Sequence, residues 1–362
     1  MITFASDVED ERPLSTLEGL TRYLKSDSEA PAKLTIDQYT ALDRAVRNRY
    51  DTGRLDYLAG NVIVVTPQVK EVRTLVENMV GNNRRRPEDK RPGLILSGGG
   101  TAGKTSSTQL AMRRVYDDYA AQVPNMAERG RHPVVYVEVP FGSNGKSFLT
   151  AFTRFFGMTV TNRETQSSLM DRVCEALHRA KTELIVVDEL QNLNNQNRGN
   201  GESIQVLRQL HSQVLGIFVL AGVNLGESPL FEGPTGQQLA SRMTFLELHS
   251  FSRANKQSNS EWRGLIRAFE KEMPLLAHTV GSLTEHSDVI HSHTGGSIST
   301  LAKIFYSSTN ALIHADNPHA ESISLKLLLA QPRDKTAMEA GTEEPTPKAP
   351  PRTTTKAKGA KR

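Results

Sequence analysis

The stretch that decides the fold lies between residues 94 and 107 and reads Leu94-Ile95-Leu96-Ser97-Gly98-Gly99-Gly100-Thr101-Ala102-Gly103-Lys104-Thr105-Ser106-Ser107. It opens with apolar residues typical of a buried strand, and apolar residues at helical spacing follow it: Leu110, Ala111 and Val115. The residues between them match the pattern G-x-x-x-x-G-K-[ST]. Glycines let the backbone wrap around a phosphate with its N–H groups pointing inward, and the helix start adds partial positive charge. The sequence therefore predicts a phosphate-binding loop between a strand and a helix.

This loop also predicts a nucleotide and a metal ion. Lys104 would reach the β- and γ-phosphates of ATP, and the Thr105 hydroxyl would bind Mg²⁺. The alternative is a glycine turn without a ligand, against which the preceding strand and the following helix both argue. The predicted phosphate-binding residues are Gly98, Gly99, Gly100, Thr101, Ala102, Gly103, Lys104, Thr105 and Ser106.

A second acidic element follows another apolar run. The sequence Leu184-Ile185-Val186-Val187-Asp188-Glu189 predicts a strand buried on both faces that ends in two carboxylates. In a parallel sheet these carboxylates lie beside the phosphate loop, where α/β proteins bind ligands. Asp188 would hold Mg²⁺, and Glu189 would polarise the attacking water. The alternative is a strand that ends in a solvated acidic turn.

Strands and helices alternate from residue 93 onward, which predicts an α/β fold with a mainly parallel sheet. The predicted strands are Leu94–Leu96, Val134–Val139, Leu184–Val187, Ile217–Leu220 and, less clearly defined, Phe245–Leu248. Helices are predicted before this core at Leu14–Leu24, at Ile36–Leu55, and from Pro67 after the capping residue Thr66. The resulting organisation is an N-terminal helical appendage (1–60), a nucleotide-binding core (61–255), a small helical lid (256–330) and a tail (331–362).

Composition restricts the class of protein and the compartment. The chain has 362 residues, 37% of them hydrophobic, and no apolar run approaches the ~18 residues of a transmembrane helix. The start of the chain turns acidic at once, and Cys174 is the single cysteine, so we expect no secretory signal, no disulfide framework and a cytoplasmic location. Residues 331–362 hold eight Lys or Arg against four Asp or Glu, which accounts for the whole formal charge of +4. This tail is predicted to be disordered, and its charge either holds nucleic acid loosely or aids solubility.

Two further polar residues follow the acidic strand at informative places. The strand predicted from Ile217 ends in Ala221-Gly222-Val223-Asn224, so Asn224 at its C-terminal end either contacts the γ-phosphate or the attacking water or is an ordinary turn residue. Arg242 precedes the last strand on a patterned segment, whereas Arg253 lies in a looser stretch. In a ring or filament, Arg242 could reach a neighbour's γ-phosphate, and a surface salt bridge is the alternative.

Taken together, these motifs resemble the AAA+ ATPases, and within them the TniB/TnsC group of transposition ATPases. The resemblance spans about residues 60 to 310 and depends on four runs in order: 98–105, Val187-Asp188-Glu189-Leu190-Gln191-Asn192-Leu193, Leu220-Ala221-Gly222-Val223-Asn224 and Leu239-Ala240-Ser241-Arg242. The chain departs from the pattern at Ser299, where many AAA+ proteins carry a nucleotide-sensing arginine, and in its tail.

The resemblance implies an ATP-dependent regulator whose subunits assemble as a ring or helical filament on target duplex DNA. It also implies recruitment or regulation of a transposase, with a target-selection protein as a possible further partner and no membrane association. In this group the segment after the second strand contacts DNA, which makes Lys146 and, less directly, Arg154 the candidate DNA-binding residues. A solvated loop is the alternative for this segment, and the nearby residues Phe152, Phe155 and Phe156 are predicted to be core.

Two other functions fit the same motifs. One is a different AAA+ ATPase, such as a helicase loader or a signalling or phage-defence switch. The other is a nucleotide-binding scaffold without hydrolysis, which the presence of both Lys104 and Glu189 disfavours.

Overall fold

The computed structural model describes residues 12–26, 30–60, 63–86, 91–193 and 202–333. In chain order its elements are α1 (Leu17–Lys25), α2 (Ile36–Thr40), α3 (Arg44–Ala59), α4 (Pro67–Arg85), β1 (Gly93–Gly98), α5 (Lys104–Gln122), β2 (Val134–Glu138), α6 (Gly145–Phe155), α7 (Gln166–Ala180), β3 (Leu184–Asp188), α8 (Glu202–Gln213), β4 (Ile217–Gly222), α9 (Gly233–Ala240), β5 (Met243–Leu248), α10 (Lys256–Glu272), α11 (Ser287–Thr294), α12 (Ile298–His314) and α13 (Leu325–Leu329). The alternation from β1 to β5 confirms the predicted α/β class. Nearly all of the predicted tail lies outside the described residues, so its disorder stays a prediction.

The five strands form one parallel sheet in the order β2-β3-β4-β1-β5. The three central strands are buried along their whole length, which explains their continuous apolar sequences. The strands are parallel and β4 lies between β1 and β3, so the carboxyl ends of these three strands lie side by side along one edge of the sheet. The phosphate loop and the two predicted carboxylates therefore share that edge.

The predicted strands are all present, with small shifts at their ends. The strand β5 starts at Met243 and not at Phe245, and β2 ends at Glu138, one residue before Val139. The strand β5 is an outer strand of the sheet. Half of its residues are exposed, which weakens its hydrophobic pattern. Cys174 is buried. Among the described helices, none is both long and apolar enough to cross a bilayer.

The predicted helix at Ile36–Leu55 is wrong, because two helices occupy this stretch with a turn at residues 41–43. The Thr40 hydroxyl donates to the carbonyl of Ile36 at 3.0 Å, which competes with continuation of α2. The Arg47 guanidinium donates to the carbonyls of Thr40 and Leu42 at 3.0 and 3.3 Å, so it satisfies carbonyl groups left free by the break.

The N-terminal helices pack against both larger parts of the molecule. Leu20 and Leu24 of α1 belong to the core around the sheet, whereas Leu58 of α3 belongs to the core of helices α10–α13. Arg54 of α3 is fully buried, and its two terminal nitrogens donate to Glu321 at 2.6 and 3.0 Å. The helix α3 is therefore part of the lid packing and not a peripheral appendage, while the division of the chain into four units stays a prediction.

His211 of α8 is a buried titratable group with no hydrogen-bond partner for either ring nitrogen among the described residues. Its ring lies 5.3 Å from that of Phe218 in β4. Burial first, and then the charges of Arg242 and Arg91, lower the pKa of His211 from 6.5 to about 4. The imidazole is therefore neutral at pH 7.

Acidification should destabilise the fold through His211. Below pH 6.5 the unfolded chain binds a proton that the folded chain does not bind until about pH 4. The free energy of unfolding should thus fall by about 2 kcal/mol between pH 7 and pH 5 through this group. Urea unfolding of wild type and His211→Leu at both pH values measures the effect. The variant should lose this part of the pH dependence, and an equal loss in both proteins would assign it to other groups.

Candidate functional site

The loop between β1 and α5 has two glycines whose positions exclude side chains. A β-carbon on Gly98 would lie 2.7 Å from the carbonyl oxygen of Leu248 in β5, so the loop leaves the sheet where only glycine fits. Gly103 has a φ of 87° and forms the start of α5, and it brings no side chain to cap that helix. The first N–H groups of α5 are therefore available to an anion inside the loop.

Lys104 points into this loop. Its side chain is buried, and its Nζ donates to the carbonyl oxygens of Gly98 and Gly99, both at 2.8 Å. Burial lowers the pKa of Lys104, while the carboxylates of Asp188 and Glu189 raise it. The ammonium group is thus held across the loop by acceptors that phosphate oxygens can replace.

Asp188 ends β3 beside this loop and is 4% exposed. Its Oδ2 accepts a hydrogen bond from the Tyr136 hydroxyl at 3.0 Å, and its Oδ1 accepts one from the backbone N–H of Glu189 at 2.8 Å. Burial, and then the charge of Asp188, raise the pKa of Tyr136 far above its usual value, so the hydroxyl stays a donor. Tyr136 thereby orients the carboxylate. The sequence does not indicate this role, although Tyr136 carries the one polar group among the four buried side chains of β2.

Glu189 has a φ of 56°, a left-handed conformation that is uncommon for this residue type and that clusters at functional sites. Its side chain accepts a hydrogen bond from the Gln191 amide, and the Gln191 carbonyl accepts one from the backbone N–H of Val223 at 3.0 Å. Gln191 therefore links the acidic side chain to the end of β4. The sequence places Gln191 in the run that carries the family resemblance but does not indicate this contact.

Asn224 lies in the turn that follows β4, where it is exposed and has a φ of 51°. The backbone N–H of the next residue, Leu225, donates to the Ser97 hydroxyl at 3.1 Å. Ser97 precedes the first glycine of the phosphate loop, so this bond fixes the turn next to the loop. The structure thus brings Lys104, Asp188, Glu189 and Asn224 to one edge of the sheet.

A cavity of about 430 Å³ lies between the phosphate loop and the lid. Its size is within the usual range for small-molecule and cofactor sites. Its lining includes Gly103, Thr105 and Ser106 of the loop, Ile63 and Val64 before α4, and Ile298, Ser299 and Lys303 of α12. Ser299 is therefore in the cavity wall, and the exposed Lys303 follows it one helical turn later on the same side. The sequence did not predict Lys303 as a residue of the cavity wall, because the family pattern points to residue 299.

The residues available for a divalent cation fit Mg²⁺. Among the described residues, no group of three or more His, Cys, Asp or Glu side chains could hold a metal ion. Thr105 lines the cavity, and Asp188 lies at the end of β3, two positions away from β1 in the sheet. Mg²⁺ is commonly held by one or two carboxylates together with substrate phosphates and water. A hydroxyl and a single carboxylate therefore suit an ion that is bound mainly through a nucleotide.

Arg242 does not join this group of residues. It is exposed and precedes β5, and its carbonyl oxygen accepts a hydrogen bond from the N–H of Gly93 at 3.2 Å. Gly93 is the first residue of β1, and the phosphate loop follows the last one. At the usual rise per residue of a strand, Arg242 starts roughly 16 Å from the phosphate loop, at the opposite edge of the sheet.

Lys146 and Arg154 lie on α6 and line a separate groove of about 760 Å³ that shares no lining residue with the cavity beside the phosphate loop. The Lys146 Nζ lies 3.4 Å from the carbonyl oxygen of Asn162, and Arg154 is exposed. Phe152 and Phe155 are fully buried, which confirms that they are core residues. The structure therefore presents both candidate DNA contacts on one surface.

The sequence matches a family model described as "Bacterial TniB protein" over residues 54–253. A search of curated proteins found no match. Similar solved structures include the ORC2 protein of Aeropyrum pernix in ADPNP–ADP complexes, with 16% identity, 80% of this chain and 72% of that chain covered, and a TM-score of 0.56. The ORC1 protein of Aeropyrum pernix in complex with DNA has 16% identity, coverage of 79% and 68%, and a TM-score of 0.53. CDC6P from Pyrobaculum aerophilum has 14% identity, coverage of 73% and 67%, and a TM-score of 0.50. These likenesses confirm the predicted fold, that of the AAA+ P-loop ATPases.

Proposed function

We propose, from the premise that this chain belongs to the TniB family, that it hydrolyses ATP with Mg²⁺, assembles on target duplex DNA and recruits or regulates a transposase. The observation that carries the proposal is the meeting of the phosphate loop with two carboxylates at one sheet edge. Lys104 lies inside the loop, and Asp188 and Glu189 end the strand two positions away in the sheet. A phosphate-binding loop beside an acid pair is the arrangement that phosphoryl transfer requires.

Each residue of this edge receives a role from its position. Lys104 would bind the β- and γ-phosphates in place of the loop carbonyls, and Thr105 and Asp188 would hold Mg²⁺, which would supply positive charge against the phosphates. Glu189 polarises the attacking water. Asn224 contacts the γ-phosphate or that water from the turn after β4. One of the two oxygens of the Glu189 carboxylate accepts a hydrogen bond from the Gln191 amide, which orients the side chain.

Arg242 contributes to hydrolysis from a neighbouring subunit. Its backbone starts roughly 16 Å from the phosphate loop of its own subunit, which favours a role across a head-to-tail interface. Such an interface repeats into a ring or a helical filament, which supports the proposed homo-oligomer.

Duplex DNA binding rests on the groove along α6. Lys146 and Arg154 both line it, and its lining contains no acidic residue. The similar ORC1 structure was solved in complex with DNA, which is a precedent for DNA binding on this fold. Contacts to phosphates carry no sequence information by themselves, so we propose binding with little sequence preference.

The test of this function is duplex binding with a non-hydrolysable ATP analogue over a series of salt concentrations. The analogue should strengthen binding because it favours assembly, and affinity should fall steeply with salt through counterion release. Lys146→Ala should reduce the slope of log K against log salt by about one per subunit contact. Lys326→Ala, an exposed lysine on α13, is the matched control and should leave the slope unchanged.

Removing residues 331–362 separates the groove from the tail as DNA-binding elements. The truncated protein should bind duplex DNA more weakly but still bind, because the groove remains. Complete loss on truncation, together with unaffected binding by Lys146→Ala, would move the DNA site into the tail.

A further inference from the structure

The loop between β2 and α6 exposes a phenyl ring. Phe141 is 94% exposed, whereas the other exposed large apolar side chains among the described residues are between 42% and 50% exposed. The N–H of Ser143 donates to the carbonyl of Pro140 at 3.2 Å and closes a tight turn around it. Gly142 has a φ of 68° in that turn, a conformation that favours glycine. The local sequence therefore builds a turn with the phenyl ring at its tip.

This tip is held rigidly. The Ser143 N–H also donates to the carbonyl of Asn192 at 3.1 Å, and the Asn192 amide donates to the carbonyl of Val139 at 3.0 Å. Both ends of the turn are thus bound to the segment that follows Glu189. A fully exposed apolar ring on a fixed turn gains no burial within its own subunit and is free to contact a partner.

The surroundings of the tip favour a nucleic acid as that partner. Pro140, next to Phe141, lines the same groove as Lys146 and Arg154. The nearest strand end carries one exposed acid, Glu138, while Glu164 beyond the groove is paired with Arg172. Phe141 thus follows a residue of a groove that carries two basic side chains. Proteins that insert an apolar side chain between base steps use such a ring together with basic residues.

We propose that Phe141 inserts between base pairs of duplex DNA while Lys146 and Arg154 bind the flanking phosphates. This inference rests on the proposed DNA binding and adds that the protein locally unstacks the duplex. Insertion by every subunit would deform the DNA along the assembly, with a cost that depends on how easily each base step opens. Through Asn192, the inserted turn is bound to the segment that carries Glu189, so DNA contact and the hydrolytic site share one structural element.

The experiment measures binding of the full chain, with a non-hydrolysable ATP analogue, to duplexes containing 2-aminopurine, whose fluorescence rises when bases unstack. Wild type should raise the fluorescence. Phe141→Ala should remove this rise and weaken binding about 10-fold, with an unchanged salt slope because no charge is lost. Phe141→Trp should keep both the fluorescence rise and the wild-type affinity. Lys146→Ala is the matched comparison and should lower the salt slope while it keeps the fluorescence rise.

The outcomes separate this inference from the proposed function. Wild-type binding, with a Phe141→Ala variant equal to it in affinity and fluorescence, would overturn the role of Phe141 alone. Absence of duplex binding by wild type would overturn the proposed function and the insertion with it. Loss of assembly by Phe141→Ala without DNA, measured by sedimentation, would identify the ring as a contact between subunits and overturn the insertion. Because the ring is 94% exposed, the variant should fold normally.

Discussion

Lys104→Ala is expected to abolish ATP binding, whereas Glu189→Gln is expected to bind ATP and retain it unhydrolysed. The Nζ of Lys104 is the cation that faces the interior of the phosphate loop, so its removal leaves the phosphates without their charge partner. Glu189→Gln keeps the shape of the side chain but removes the base, for which a loss of about 10²- to 10⁴-fold in turnover is typical. Binding of a fluorescent nucleotide and release of phosphate measure the two effects separately.

A matched control for Glu189→Gln is Glu175→Gln on α7. Glu175 pairs with Arg179 on the surface, so this change removes an exposed carboxylate without contact to the site. It should leave nucleotide binding and turnover unchanged. Equal turnover by Glu189→Gln and wild type would contradict the role of Glu189, and ATP binding by Lys104→Ala at wild-type affinity would contradict that of Lys104.

The phosphate loop could be predicted from the sequence because its geometry is local. Glycine is required where the chain leaves the sheet next to Leu248 and where α5 starts with a positive φ, and both positions lie within the motif. The positions of the two carboxylates could be predicted equally well, because a run of four buried apolar residues before Asp188 and Glu189 fixes the end of the strand. In each case a run of neighbouring residues is enough to identify the element, although the contact of Gly98 with Leu248 comes from another strand.

The partners of these residues could not be predicted, because they come from other strands. Tyr136 reaches Asp188 only because β2 lies beside β3, and Gln191 bonds to Val223 only because β4 lies on the other side of β3. The order of strands is a property of the whole sheet, and hydrophobic periodicity does not contain it. Periodicity gives each element but not its neighbours.

The lid shows the same limit over a longer distance. Arg54 and Glu321 are 267 positions apart, yet they form a buried ion pair that joins α3 to the lid. The sequence predicts α3 as part of an N-terminal helical appendage, and Arg54 gives no indication of burial until its partner is known. The cost of burying both charges is met only when they are paired, so neither position is interpretable alone.

Arg242→Ala is expected to bind ATP nearly normally but to lose DNA-stimulated hydrolysis and cooperative assembly together. An arginine supplied by a neighbour stabilises the charge of the transition state and is worth about 10³-fold or more in turnover. Arg253 is the less suitable candidate because its guanidinium pairs with Asp288 at 2.5 Å and is largely covered. Arg263→Ala, an exposed arginine on the lid helix α10, is the matched control and should retain stimulated hydrolysis.

Mixing Arg242→Ala with Glu189→Gln tests whether the arginine acts between subunits. Neither variant alone can form a complete site, because one lacks the arginine and the other lacks the base. In a mixed assembly, however, an Arg242→Ala subunit keeps Glu189 and can receive Arg242 from a Glu189→Gln neighbour. At protein concentrations high enough for Arg242→Ala to enter the assembly beside Glu189→Gln, equal amounts in random head-to-tail order should leave about a quarter of the interfaces complete. Hydrolysis should then return to about that fraction of wild type. If the two variants assemble together on DNA and hydrolysis does not return, Arg242 does not complete a neighbour's site. In that case the position of Arg242, at the opposite end of β1 from the phosphate loop, has no role in hydrolysis.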